Sequence, residues 1–122
     1  MSDNVRVILA VIAAGIAGTI VNSLAVVFAF PEIDLVALLA KYGRFIVAIA
    51  VAALLPVIYS QMSGSSAVVT ALAALTIIPS VLAKLVFGVG ASWIMVLLLN
   101  LVFAVVAWAV YLWVMGRNQS GS

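Results

Sequence analysis

Four long apolar runs, at residues 7–30, 42–59, 67–87 and 93–115, take up most of this chain, and nearly every charge sits at the edge of one. Each run is near or above the roughly 20 residues a helix needs to cross a bilayer. Only 7% of the 122 residues are charged and 69% are hydrophobic, whereas a soluble domain carries about 25% charged residues. A water-soluble fold of this size needs a polar surface that this composition lacks. Lipid as the solvent removes that need, and it forces each span to satisfy its own backbone hydrogen bonds. The sequence therefore predicts an all-α integral membrane protein: a single domain over 1–122, built as an up-down bundle of four transmembrane helices, with a flexible tail at 116–122.

The first run follows Arg6, which raises the question of a signal peptide. The run is too long for a typical signal h-region. Phe28 and Phe30 also stand where small residues should precede a cleavage site, so a retained first span is expected. Between the first two runs, Pro31, Glu32 and Asp34 open a segment that Lys41 and Arg44 close. Acids at the start and bases at the end suit a helix dipole. On a helical wheel Asp34, Ala37, Lys41 and Arg44 share a face, which predicts a short interfacial helix over 31–44. The alternative is the first turns of a long tilted span whose Lys41 and Arg44 snorkel. The polar stretch Ser60 to Ser66 reads as a turn, and Gly88 to Ser92 as a tight one. Trp93, Tyr59, Trp108, Tyr111 and Trp113 lie near span ends, as interfacial aromatics do.

Four spans put both termini and the 60–66 loop on one side, with Arg6 and Arg117. Lys41, Arg44 and Lys84 fall on the other. The positive-inside rule leans toward the latter side being cytoplasmic, by a margin that one residue would reverse. A plasma (inner) membrane location is the expectation. Register matches such as Leu24-Ala25 with Leu82-Ala83 and Phe45 with Phe103 raise a duplicated hairpin, but a chain this rich in Ala, Val and Leu gives them by chance.

The composition also limits chemistry. There is no Cys and no His, which excludes disulfides, thiolate nucleophiles, zinc sites and His-ligated haem. No cofactor or metal is expected. A net charge of +2 spread over loops makes no nucleic-acid patch. No Asp or Glu lies inside a span, and Glu32 and Asp34 fit capping better than a catalytic pair. An enzyme is not expected.

What remains is a set of small and polar residues. In lipid only these distinguish one helix face from another. Gly15, Gly18, Thr19, Asn22, Ala25 and Ala29 share one face of the first span. Gly15, Gly18 and Ala25 read as helix-packing positions. Thr76, Ser80 and Lys84 form a stripe on the third span. Asn100, Ala104, Ala107 and Tyr111 form one on the fourth. At about 1.5 Å per residue, Asn22, Ser80 and Asn100 each lie roughly 12 Å in from the same side. Thr19 and Thr76 are a turn deeper and Lys84 a turn shallower. This candidate polar layer has three readings: interhelical glue worth about 0.6 kcal/mol per bond, a vestibule with Lys84 at its mouth, or an anionic lipid headgroup held by Lys41, Arg44 and Lys84. Pro79 cannot donate to the Leu75 carbonyl, and a Thr76 or Ser80 hydroxyl is expected to serve it.

Gly18-Thr19-Ile20-Val21-Asn22 resembles a Gly-Thr…Asn segment of the fluoride channels, over five residues of the chain. The Phe- and Thr-rich stretch that such channels carry later is absent, as is the in-span Glu of the small multidrug transporters, so the chain is assigned to neither family. The sequence leaves two main functions, with lipid binding by the basic residues Lys41, Arg44 and Lys84 as a third. The first is a structural, accessory or assembly component in the bilayer, as a homo-oligomer or within a larger membrane complex. The alternative is a passive channel or small-solute transporter acting as a homo-oligomer.

Overall fold

On the first helix most large apolar side chains point outward and the small ones pack inward. Ile8, Ile12, Ile16, Ile20, Leu24 and Phe28 recur every fourth residue and are all exposed, while Ala10 and Ala14 are fully buried. Ala52, Ala67, Ala71, Ala104 and Ala107 are likewise at 0% exposure. A water-soluble bundle would bury the isoleucines. In lipid they cost nothing outside, and close packing of small residues supplies the helix contacts.

The computed structural model describes residues 3–86 and 92–116. It is an all-α four-helix bundle with no strand among those residues. Its helices are α1 (Asp3–Ala29), α2 (Leu35–Leu39), α3 (Tyr42–Ala52), α4 (Leu54–Gln61), α5 (Gly64–Val81) and α6 (Trp93–Met115). A π-helical segment, Leu82–Val86, continues α5. Four stretches are long and apolar enough to cross a membrane: Asn4–Ala29, Tyr42–Gln61, Gly64–Leu85 and Trp93–Met115. The chain is a small multi-pass membrane protein by this measure.

Several expected boundaries move. The polar turn shrinks from 60–66 to Met62 and Ser63, because Ser60 and Gln61 finish α4 and Gly64 already opens α5. Gly64 has φ +63, a left-handed conformation open to glycine at little cost, and it lets the chain reverse within so few residues. The second span is broken between α3 and α4 at Ala53. Pro56 has no N–H for the Ala52 carbonyl, so the break is placed one turn before the proline.

The interfacial helix is also shorter than expected. Asp34 caps α2 by accepting from the Val36 N–H at 3.1 Å, and the helix ends at Leu39 with Ala40 as its C-cap. Lys41 is the N-cap of α3. Arg44 therefore belongs to the second span, and the shared face of Asp34, Lys41 and Arg44 does not form. Ser92 caps α6, accepting from the Met95 N–H at 3.2 Å, and Gly116 ends it with φ +72. Apart from these two residues, the turn expected over 88–92 and the tail expected over 116–122 lie outside the described residues.

α1 packs mainly on α6 and next on α3, and α5 packs on α6, whereas α3 and α5 barely touch. The bundle is thus tight along α1 and α6 and loose between α3 and α5. Near the termini the interior is closed by aromatics. Tyr59 and Tyr111 stack with ring centroids 6.0 Å apart, and the Trp108 indole N–H donates to the Tyr59 hydroxyl at 2.9 Å. Tyr59 and Tyr111 are 8% and 1% exposed. They are core residues, not members of an interfacial belt. An aromatic hydroxyl on a helix end suits either place, and only packing decides between them.

Candidate functional site

The close approach of α1 to its neighbours positions everything else in the site. A Cβ on Gly15 would fall 2.8 Å from the Ile49 Cα, and one on Gly18 would fall 2.6 Å from the Phe103 ring. Gly15 thereby seats α1 against α3, and Gly18 seats it against α6. Ala25, grouped with them in the sequence, is only half-buried. One turn beyond Gly15, the Thr19 hydroxyl donates back to the Gly15 carbonyl at 2.8 Å. Ser23 does the same to the Thr19 carbonyl at 2.7 Å. Such back-bonding keeps a hydroxyl satisfied inside a helix and leaves the Ser23 oxygen free to accept.

Arg44 uses that oxygen. Its Nη1 donates to Ser23 Oγ at 2.7 Å and to the Leu38 carbonyl at 3.3 Å. Its Nη2 donates to Asn22 Oδ1 at 2.8 Å. Because a guanidinium can only donate, Asn22 turns its oxygen toward Arg44 and its amide nitrogen toward α6. There Nδ2 donates to the Leu99 carbonyl at 2.7 Å. The next residue on α6, Asn100, donates to Ser80 Oγ at 3.0 Å, and Ser80 donates to the Thr76 carbonyl at 2.6 Å.

A belt of polar contacts therefore links α3 to α1, α1 to α6, and α6 to α5. It brings Asn22, Ser80 and Asn100 to one level, with Thr19 one turn beyond. The Ser80 hydroxyl serves the Thr76 carbonyl, not the Leu75 carbonyl expected from Pro79. Thr76 Oγ1 is buried without a partner. Lys84 stands apart from the belt in the π-helical segment, its Nζ 5.8 Å from the centre of the Trp93 ring, a distance suited to a cation–π contact.

A cavity of about 920 Å³ lies against this belt. Thr19, Val51 and Phe103 line its inner end, and Ile33, Leu38 and Lys41 line the end near α2. Asn22, Arg44 and Asn100 edge it, while Val26, Val47 and Leu99 give apolar wall. It occupies the space that the loose α3–α5 contact leaves. Beyond Thr19, toward the termini, the fully buried alanines and the Tyr59–Tyr111 stack fill the interior.

Arg44 is half-buried, and its three bonds all go to uncharged oxygens. By sequence Arg44 groups with Lys41 and Lys84 as headgroup contacts. Neither the turn of Arg44 into the belt nor the role of Ser23 is legible in that grouping. A signal was present: Arg44 falls within the 42–59 run, and an ionisable residue inside a span faces a polar interior by default. Lys41 remains exposed at the cavity edge.

No family model matches the chain, and neither a curated protein nor a solved structure matches it.

Proposed function

We propose that this protein is a membrane-embedded binding protein, which holds a ligand in the cavity beside Arg44 and performs no catalytic step. One observation carries the reading. A half-buried guanidinium whose partners among the described residues are all neutral lines a half-open cavity of about 920 Å³. A charge in such a place is costly unless something compensates it, and a bound ligand would do so.

Two features weigh against the other readings. A passive channel needs a continuous path, and the bundle interior beyond Thr19 is filled by Ala14, Ala52, Leu55 and Ala104, all at 0% exposure. The small-residue face of the first span is not open to an outside partner, because Gly15 and Gly18 are already occupied by Ile49 and Phe103 of the same chain.

The chain has no cysteine, so single-cysteine variants test the reading directly. Val47→Cys, in the cavity wall, should react with a small membrane-impermeant thiol reagent from one face of a proteoliposome only. Ala104→Cys should stay unreactive. Reaction of Val47→Cys from both faces, or of Ala104→Cys at a similar rate, would mean a continuous path and would replace this reading with the channel.

A further inference from the structure

We infer that the ligand is an anionic amphiphile: a phosphate or carboxylate headgroup held by Arg44 and Lys41, with an alkyl chain lying along the apolar wall toward Phe103. This rests on the binding reading above and gives the ligand a chemical class.

The charge pattern comes first. Among the described residues the cavity is lined by two cations, Arg44 and Lys41, and by no carboxylate. Of the two nearby acids, Asp34 is occupied as the cap of α2, and Glu32 is exposed and does not line the cavity. The donor inventory of Arg44 points the same way. A guanidinium has five N–H groups. Three are used by Ser23, Leu38 and Asn22, which leaves one on Nη2 and the one on Nε, on adjacent nitrogens. Arginine forks meet the oxygens of a carboxylate or phosphate through such pairs. Asn22 and Ser23 hold the fork in place, so little rotamer freedom remains to be lost on binding.

The wall supplies the rest. From Gly43 to Val51 the cavity follows α3 for about 12 Å at 1.5 Å per residue. Along it Val47, Val51, Val26, Leu99 and Phe103 offer only hydrocarbon. A small hydrophilic anion would leave that length unfilled, and a neutral lipid would leave Arg44 uncompensated. An amphiphile satisfies both. A chain coming from the bilayer gains little by moving between two apolar surroundings, so the headgroup contacts decide which lipid is selected. An amphiphile arriving from water gains from the chain as well.

The test uses the purified full chain in phosphatidylcholine nanodiscs with three probes: oleoyl lysophosphatidate, monoolein (chain without charge) and inorganic phosphate (charge without chain). Native mass spectrometry reads the first two and thermal shift the third. Lysophosphatidate should bind at least about tenfold more tightly than either control, as expected for a charge-assisted pair. Arg44→Gln and Lys41→Gln should each weaken it several-fold. Lys41 is exposed, so its variant separates loss of binding from loss of fold. Enrichment of dioleoyl phosphatidate from a mixed bilayer supports the inference with a bilayer source, and capture of lysophosphatidate alone supports it with a water-borne one. Equal binding of monoolein, or unchanged affinity in both variants, overturns the anionic headgroup. Equal binding of inorganic phosphate overturns the chain. If no probe binds while Val47→Cys still reacts from one face, the amphiphile falls and the binding reading stands. If Val47→Cys is closed as well, both fall.

Discussion

Replacing Gly15 by alanine adds one methyl group at the tightest crossing in the protein. The new Cβ would sit 2.6 Å from Ile49 Cγ1, 2.8 Å from Ile49 Cα and 2.9 Å from Ile49 N. Carbon pairs settle near 3.5–4.0 Å, so α1 and α3 must part by several tenths of an ångström or more. A change of Ile49 rotamer relieves the first contact but not the other two, which are backbone. Overpacking of this kind costs about 1–3 kcal/mol. Alanine returns up to about 1 kcal/mol through helix propensity. The net expectation is a loss of about 1–2 kcal/mol, a factor of roughly 5–30 in the folded-to-unfolded ratio. Gly43→Ala is the matched control, because a Cβ there meets nothing within 4 Å. It should be neutral or slightly stabilising. The assay is equilibrium unfolding of both variants by SDS in mixed micelles, followed by circular dichroism. A Gly15→Ala protein as stable as the Gly43→Ala protein would refute the close-approach argument and, with it, the account of how α1 is seated.

Three further outcomes follow from the belt, the aromatic stack and the cavity. Asn22→Leu strands a guanidinium N–H, at about 1–3 kcal/mol for the unsatisfied group, and also removes the second bond to the Leu99 carbonyl, which keeps its intrahelical partner in α6. Asn100→Leu removes only a bond to an oxygen whose own proton is already placed, so the same SDS titration should rank Asn22→Leu as the more destabilising. Tyr59→Phe removes the acceptor of the Trp108 indole N–H; a loss of about 1 kcal/mol is expected, with a shift in tryptophan emission, and an unchanged spectrum would contradict the bond. Val47→Phe enlarges a side chain that borders the cavity and should cost well under 1 kcal/mol. Ala104→Leu, at a fully buried site, should cost about 1–3 kcal/mol. Equal thermal stability of these two variants would argue that the cavity is not there.

The sequence by itself determined the solvent and therefore the class of fold. So few charges cannot cover a water-soluble surface, and segments of these lengths in lipid can only be helices. It also determined depth, because a helix rises by a fixed amount per residue. Asn22, Ser80 and Asn100 could be placed at one level by counting from the ends of the apolar runs, and errors of two or three residues at Gly64 and Gln61 did not disturb that count. Rotation about each helix axis was not legible. Where apolar residues surround a helix on every side, no hydrophobic stripe selects the inward face. The choice falls to close fits such as Gly15 on Ile49 and Gly18 on Phe103, whose partners are far away in the sequence. The same fits turn Arg44 toward Ser23 and Asn22. The α3–α5 separation that leaves the cavity likewise comes from how four helices share two tight crossings, a property of the assembled bundle and of no single span.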